Sequence, residues 1–178
     1  MTKREQLIAC CERLLITHGY TQTGVNEILE ETGLSKGALY YHFPKGKEAL
    51  FSLALGQILD KELREIKGFC KGKPSKMVSK ILSFYLEKQA KGQRADLVLF
   101  LAHDLKNSDN QRIKEQLEEY QSDWIDSIAA YLKDRKESGS KKKARQFYTL
   151  LFGLLNVNEV QKSNKNQEAI EELLERIF

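Results

Sequence analysis

The sequence predicts an all-α protein of about nine helices and no sheet. Three observations lead there. The 178 residues include only two prolines, and runs of β-branched residues are few. Apolar residues recur at the three- and four-residue spacing of an α-helix in segment after segment. Between those segments stand glycine, serine, asparagine or proline, which start and stop helices. A 41% hydrophobic share beside 30% charged residues supports a real core in a globular chain. No run approaches the roughly 20 apolar residues needed to cross a bilayer. The opening "MTKREQLIACCERLL" scatters charge where a secretory leader is apolar, so a cytoplasmic location is expected.

Thr2 and Glu5 have the spacing of a capping box at the head of the first helix. Leu7, Ile8, Cys11, Leu14 and Leu15 form its apolar stripe, and Gly19 ends it. Thr23 is placed to cap a short second helix bearing Val25, Ile28 and Leu29, which Gly33 stops. Ser35 caps a third, running to Phe43 before Pro44 and Gly46 interrupt. Two short helices joined by a tight Gly-containing turn make a helix-turn-helix. A long helix follows from Lys47 to Cys70, and "KGKP" breaks the chain. Ser75 begins a helix with Met77, Val78, Ile81, Leu82, Phe84 and Tyr85 inward. "RADLVLFLAHDL" is nearly all apolar and is expected to be buried. After the turn "NSDN", a long amphipathic helix carries Ile113, Leu117, Tyr120, Trp124, Ile128 and Leu132.

The last two segments suggest a partner. "FYTLLFGLL" is apolar on every side and has two faces to cover. "EAIEELLERIF" adds a strong stripe. Leu151, Phe152, Leu155, Ile170, Leu173, Leu174 and Ile177 are therefore candidates for pairing with a second copy.

"GLSKGALYYHFPKGK" carries the chemistry. On a helical wheel Leu39 and Phe43 face the core, while Gly37, Ala38 and Tyr41 face away, flanked by Lys36, Tyr40 and His42. Small residues permit close approach to the floor of a DNA major groove, where Lys36 can reach guanine acceptors. Tyrosine hydroxyls, Lys47 and helix N-termini suit phosphate oxygens. The plainer alternative is a solvated helix frayed by Gly37, its tyrosines packed on neighbours. Net charge decides nothing: the chain is +4, and residues 1–50 balance six basic against six acidic side chains.

"TQTGVNEILEETGLSKGALYYHFPKGKEAL", with Gly19–Tyr20 before it, resembles the N-terminal signature of the TetR (tetracycline-repressor) family of transcriptional regulators. The resemblance covers roughly residues 4–55. It implies a DNA-binding domain over 1–50 and a helical effector-binding and dimerisation domain over 51–178. It also implies a homodimer on an inverted-repeat operator in double-stranded DNA, released by a small-molecule effector. By that resemblance Thr23, Gly24, Val25 and Asn26 meet DNA from the start of the second helix. Lys36, Gly37 and Ala38 face bases. Tyr40 holds a phosphate with Tyr41 and His42 nearby, and Lys47 holds another. Two departures stand out. "FPKGKEAL" has one residue more than the family's spacing, so either Lys45 or Lys47 can fill the phosphate role; phasing of the following Glu-Ala-Leu favours Lys47. Leu29 stands where a small alanine is usual.

The resemblance places an effector pocket in the second domain, with Phe84, Tyr85, Phe100, His103, Trp124, Phe147 and Tyr148 as candidates, though aromatic residues at helical spacing are commonly core. His18, His42 and His103 fall in separate segments without metal-ligand spacing, and no nucleophile motif or phosphate-cradling loop occurs. No catalytic residue, metal or cofactor is expected. Cys10, Cys11 and Cys70 read as small apolar helix residues of a reduced compartment; a redox sensor would need a depressed thiol pKa. The competing function class is a helical homodimeric adaptor without specific DNA binding.

Overall fold

The computed structural model describes residues 1–161 and 167–178. Among them every regular element is a helix: α1 (Lys3–Gln22), α2 (Val25–Thr32), α3 (Lys36–His42), α4 (Lys47–Phe69), α5 (Pro74–Ala90), α6 (Leu97–Asp104), α7 (Gln111–Asp134), α8 (Ser140–Gln161) and α9 (Gln167–Glu175). They form two compact units that do not follow chain order. One comprises Met1–Lys61 and Leu97–Glu119, the other Glu62–Asp96 and Tyr120–Phe178.

In the first unit, α1 starts at the expected capping box, Glu5 N–H donating to Thr2 Oγ1 at 3.2 Å and Thr2 N–H to Glu5 Oε2 at 2.7 Å. Leu7, Leu14 and Leu15 of α1, Ile28 of α2, Leu39 of α3 and Leu50, Phe51 and Leu55 of α4 are fully buried together. Polar pairs also tie α1 to α2: Arg13 to Glu31, His18 to Glu27 at 3.1 Å, and the Cys10 thiol to Glu31 at 3.1 Å.

At Gly19 the chain leaves the helical conformation, which kinks α1 near its end. Its φ of 83° and ψ of −171° lie in a region essentially restricted to glycine. The bend turns two amides outward, and Asp104 at the end of α6 receives both, from Tyr20 at 2.7 Å and Thr21 at 2.9 Å, together with the Thr21 hydroxyl. Asn110 Nδ2 donates to Tyr20 Oη at 2.7 Å.

Three sequence expectations are corrected. Gly24, not Thr23, caps α2, because the Thr23 hydroxyl donates back to Gly19 O at 2.8 Å and closes the end of α1. Helix α5 begins one residue early, at Pro74, whose fixed φ and missing N–H suit the first helical position. The segment around α6 is not wholly buried: Leu97, Leu101 and Leu105 form a single inward stripe, and Leu99 is 41% exposed.

The second unit packs Met77, Val78, Ile81, Leu82 and Tyr85 of α5 with Tyr120, Trp124, Ile128 and Leu132 of α7. Phe147, Tyr148, Leu151, Phe152 and Leu155 of α8 and Ile170 and Leu174 of α9 complete this core. Phe84 is half-buried, its ring edge-on to Phe69 and Tyr85.

A Cβ at Gly19 would come within 2.8 Å of Asp104 Oδ2 and 3.0 Å of Phe100 Cζ. Gly19→Ala is therefore expected to destabilise the protein by roughly 2 kcal/mol or more, from backbone strain and displacement of Asp104. The midpoint of urea unfolding checks it; an unchanged midpoint would mean that the bend relaxes freely.

Candidate nucleic-acid interface

The candidate surface is built from the starts of two short helices. In α2 the cap residue Gly24 is exposed and makes no side-chain hydrogen bond, so the first amides of the helix are left open. Asn26 is exposed and Val25 half-buried, while Thr23 is fully buried. In α3, Ser35 Oγ accepts from Ala38 N–H at 3.2 Å and closes the first turn. Leu39 and Phe43 anchor the helix in the core. That leaves Lys36 and Gly37 exposed and Ala38 half-buried. A Cβ at Gly37 would meet only Ser35 Oγ, at 3.8 Å. Tyr41 is 81% exposed, with its ring edge-on to His42 at 5.0 Å.

The extra residue of "FPKGK" is absorbed in the turn after α3. Gly46 N–H donates to Phe43 O at 2.7 Å, and Gly46 takes a φ of 65°. Its bare Cα gives the Tyr40 ring a flat support, since a Cβ there would lie 3.1 Å from Tyr40 Cε1. The turn holds Lys45 exposed and swings Lys47 inward. Lys47 Nζ donates to Tyr20 O at 2.6 Å and sits 4.3 Å from the Tyr20 ring centroid and 5.1 Å from that of Phe51. Burial pushes its pKa down, partly opposed by the charge of Asp104. The preference for Lys47 as phosphate ligand thus meets a lysine already engaged inside the protein.

The remaining candidates fall apart into groups. Phe84, Tyr85, Trp124, Phe147 and Tyr148 lie in the second unit, in one chain of ring contacts continued by Phe152. Phe100 and His103 lie in the first unit, Phe100 beside Gly19 and His103 exposed. Of the pairing candidates, Leu151, Phe152, Leu155, Ile170 and Leu174 are buried within the single chain; Leu173 is 46% exposed and Ile177 half-buried. Val157 on α8, which the sequence reading did not single out, is also exposed. Among the described residues no three His, Cys, Asp or Glu side chains are placed to hold a metal ion. Burial raises the pKa of all three thiols, Cys70 to about 11, the opposite of what a redox sensor needs.

Asp104, Asn110, Glu62, Lys88 and Tyr120 carry polar functions that the sequence reading did not assign. For Glu62 and Lys88 a signal existed: each occupies a position on an apolar stripe, Glu62 between Leu59 and Ile66, Lys88 one turn after Tyr85. Asp104 meets Tyr20 and Thr21 across more than eighty residues, and no local pattern marks it.

Lys47→Met keeps the apolar stem and loses the donor to Tyr20. Because the folded pKa lies below the unfolded one, the unfolded chain binds more protons between those two values, and Lys47 makes stability rise with pH there. Comparing urea midpoints at neutral and alkaline pH, Lys47→Met is expected to lose that rise. Parallel pH profiles for the two proteins would contradict the inward placement.

The segment 7–54 matches the model of the bacterial regulatory proteins of the tetR family. The HTH-type transcriptional regulator LmrA of Bacillus subtilis is 46% identical over 55 residues, 31% of this chain and 29% of that protein. The uncharacterized HTH-type transcriptional regulator YerO of the same organism is 36% identical over 124 residues, 64% of this chain and 39% of that protein. The matches thus span well under half the length of either relative. A TetR transcriptional regulator from Legionella pneumophila superposes with a TM-score of 0.82, covering 99% of this chain and 97% of that one at 17% identity. A TetR-family regulator from Agrobacterium tumefaciens gives 0.83 over 98% and 96% at 16% identity. Likeness at such low identity speaks for the fold alone, whereas the match over 7–54 rests on the residues themselves. Residues 7–54 are thus similar, residue by residue, to the N-terminal segment of the tetR family of bacterial regulatory proteins.

Proposed function

We propose that the protein is a transcriptional regulator, acting in the cytoplasm as a homodimeric, ligand-released repressor at an inverted-repeat operator. The observation that carries this is Gly37. It weakens a seven-residue helix, yet nothing in the chain fills the space its missing side chain leaves. A residue that costs helix stability without serving the packing fits a surface that another molecule approaches closely.

On this reading Lys36, Gly37 and Ala38 face base edges. Gly24, Val25 and Asn26 approach with the open start of α2, and buried Thr23 holds that start in place. Tyr40, braced on Gly46, meets a phosphate with Tyr41 and His42 alongside. Exposed Lys45 meets another, the role that engaged Lys47 is less free to take. In a dimer the two α3 helices read half-sites about one helical turn apart, ~34–36 Å. Val157, Leu173 and Ile177 supply apolar surface for that pairing. An effector in the second unit favours a dimer with a different head spacing, a coupling of typically ~1–3 kcal/mol that DNA must return against the effector.

Selection by the purified protein from a random duplex DNA pool is expected to enrich an inverted repeat. A folded dimer, stripped of ligand by refolding, that enriches nothing would favour the adaptor class instead. Gly37→Ala separates the two explanations of that glycine: it is expected to leave the unfolding midpoint unchanged or slightly raised, and to weaken binding to the selected site by about tenfold or more. Lys45→Ala is expected to weaken all DNA equally and lower the salt slope by about one, whereas Lys36→Ala changes sequence preference. If Lys47→Ala lowers the slope and Lys45→Ala does not, the phosphate role returns to Lys47.

A further inference from the structure

Within the second unit, Glu62 occupies a position on α4 where an apolar side chain is expected, and it is buried. Three donors converge on its carboxylate. The hydroxyls of Tyr85, at 2.8 Å, and Tyr120 both donate to Oε1, and Lys88 Nζ donates to Oε2. Trp124 Nε1 donates in turn to Tyr85 Oη at 3.1 Å. The Lys88 ammonium lies 5.2 Å from the Phe84 ring centroid and 5.7 Å from that of Tyr85. A carboxylate beside aromatic rings is the setting in which proteins hold organic cations, and here the cation is one of the protein's own side chains.

A buried ion pair is a poor source of stability, since apolar side chains of similar volume commonly do as well. This one is also reversible in principle. The Lys88 side chain is 20% exposed, and its flexible four-carbon stem can carry the ammonium out to water. Behind it the rings continue, Tyr85 to Phe152 at 5.0 Å and Trp124 to Tyr148 at 5.1 Å. The Tyr148 hydroxyl is buried without a hydrogen bond of good geometry. Burial pushes its pKa up to about 12, although Gln121 lies close enough to draw it down.

We infer that this cluster binds an apolar organic amine, cationic at neutral pH, whose ammonium replaces that of Lys88 at Glu62; the inference rests on the reading of the second unit as an effector domain. The exchange keeps the buried carboxylate paired throughout. A neutral ligand of the same shape would expel Lys88 and leave Glu62 without a counter-charge, and an anion would repel it. Aromatic walls favour an aryl or alkyl body behind the ammonium.

Trp124 is the only tryptophan in the chain and belongs to this hydrogen-bond network, so its fluorescence reports the site directly. The full-length protein is titrated with 4-phenylbutylamine, 4-phenylbutanol and 4-phenylbutyrate, one skeleton with three head groups. The amine is expected to shift the emission with a Kd about tenfold or more below that of the alcohol, with no response to the acid. Lys88→Met, which keeps the stem and removes the internal competitor, is expected to tighten amine binding by about tenfold. Glu62→Gln is expected to abolish the preference for amine over alcohol. Should Lys88→Met be unstable alone, its thermal midpoint is expected to rise with the amine and not with the alcohol. Equal response to all three compounds, or no gain for Lys88→Met by either readout, would overturn the site. Adding the amine to a complex with selected DNA distinguishes the two readings: binding without release keeps the site and removes its effector role. A protein that grips DNA and ignores the amine keeps the regulator and loses the site.

Discussion

The carboxylate of Asp104 accepts from the amides of Tyr20 and Thr21 and from the Thr21 hydroxyl, donors that are free only because Gly19 has turned the chain out of α1. Lys47 takes the other end of the same residue, donating to the Tyr20 carbonyl. One residue of backbone is thus gripped by a negative group at its N–H and a positive group at its C=O, both charge-assisted bonds of the stronger sort. The short helix that follows is aimed from there. The Thr23 hydroxyl closes back on Gly19, which sets the direction in which α2 departs. Phe43 and Leu39 then seat α3 against a core that α1 and α4 have already fixed.

The second unit uses its charges differently. A run of aromatic rings passes through its core, and the Glu62 carboxylate among them is satisfied by two phenols and an ammonium. Burial drives the pKa of both Tyr85 and Tyr120 well above that of a free phenol, so each stays a donor over the ordinary pH range. At the α1 bend polar groups fix backbone, whereas around Glu62 they fix side chains against one another.

Sequence periodicity exposed the helices because each buries a stripe, and the stripes of α1 and α7 read almost residue for residue as they pack. Capping was legible where the partner is local, as at Thr2 and Ser35. It misled at Thr23, since a hydroxyl at a helix boundary can serve the helix behind it as well as the one ahead, and the bend at Gly19 decides which. The run around α6 looked buried because composition records hydrophobicity, not how many neighbours a short helix has. The inward turn of Lys47 was hidden for a related reason. Phasing with Glu48–Ala49–Leu50 placed it at the head of α4, but only the fold shows that the Tyr20 carbonyl waits there.

The family signature ends at residue 54, but the unit that contains it does not. It is completed by residues 97–119, which supply both Asp104 and Asn110 to the bend in α1. The helix-turn-helix of this protein is therefore not a portable module. A fragment cut after the first part of α4 would carry α1 to α3 complete and lack the acceptor for its own bend. During synthesis, too, α1 to α3 emerge well before the carboxylate that fastens them, so the first unit reaches its final geometry only after the chain has passed through part of the second and returned.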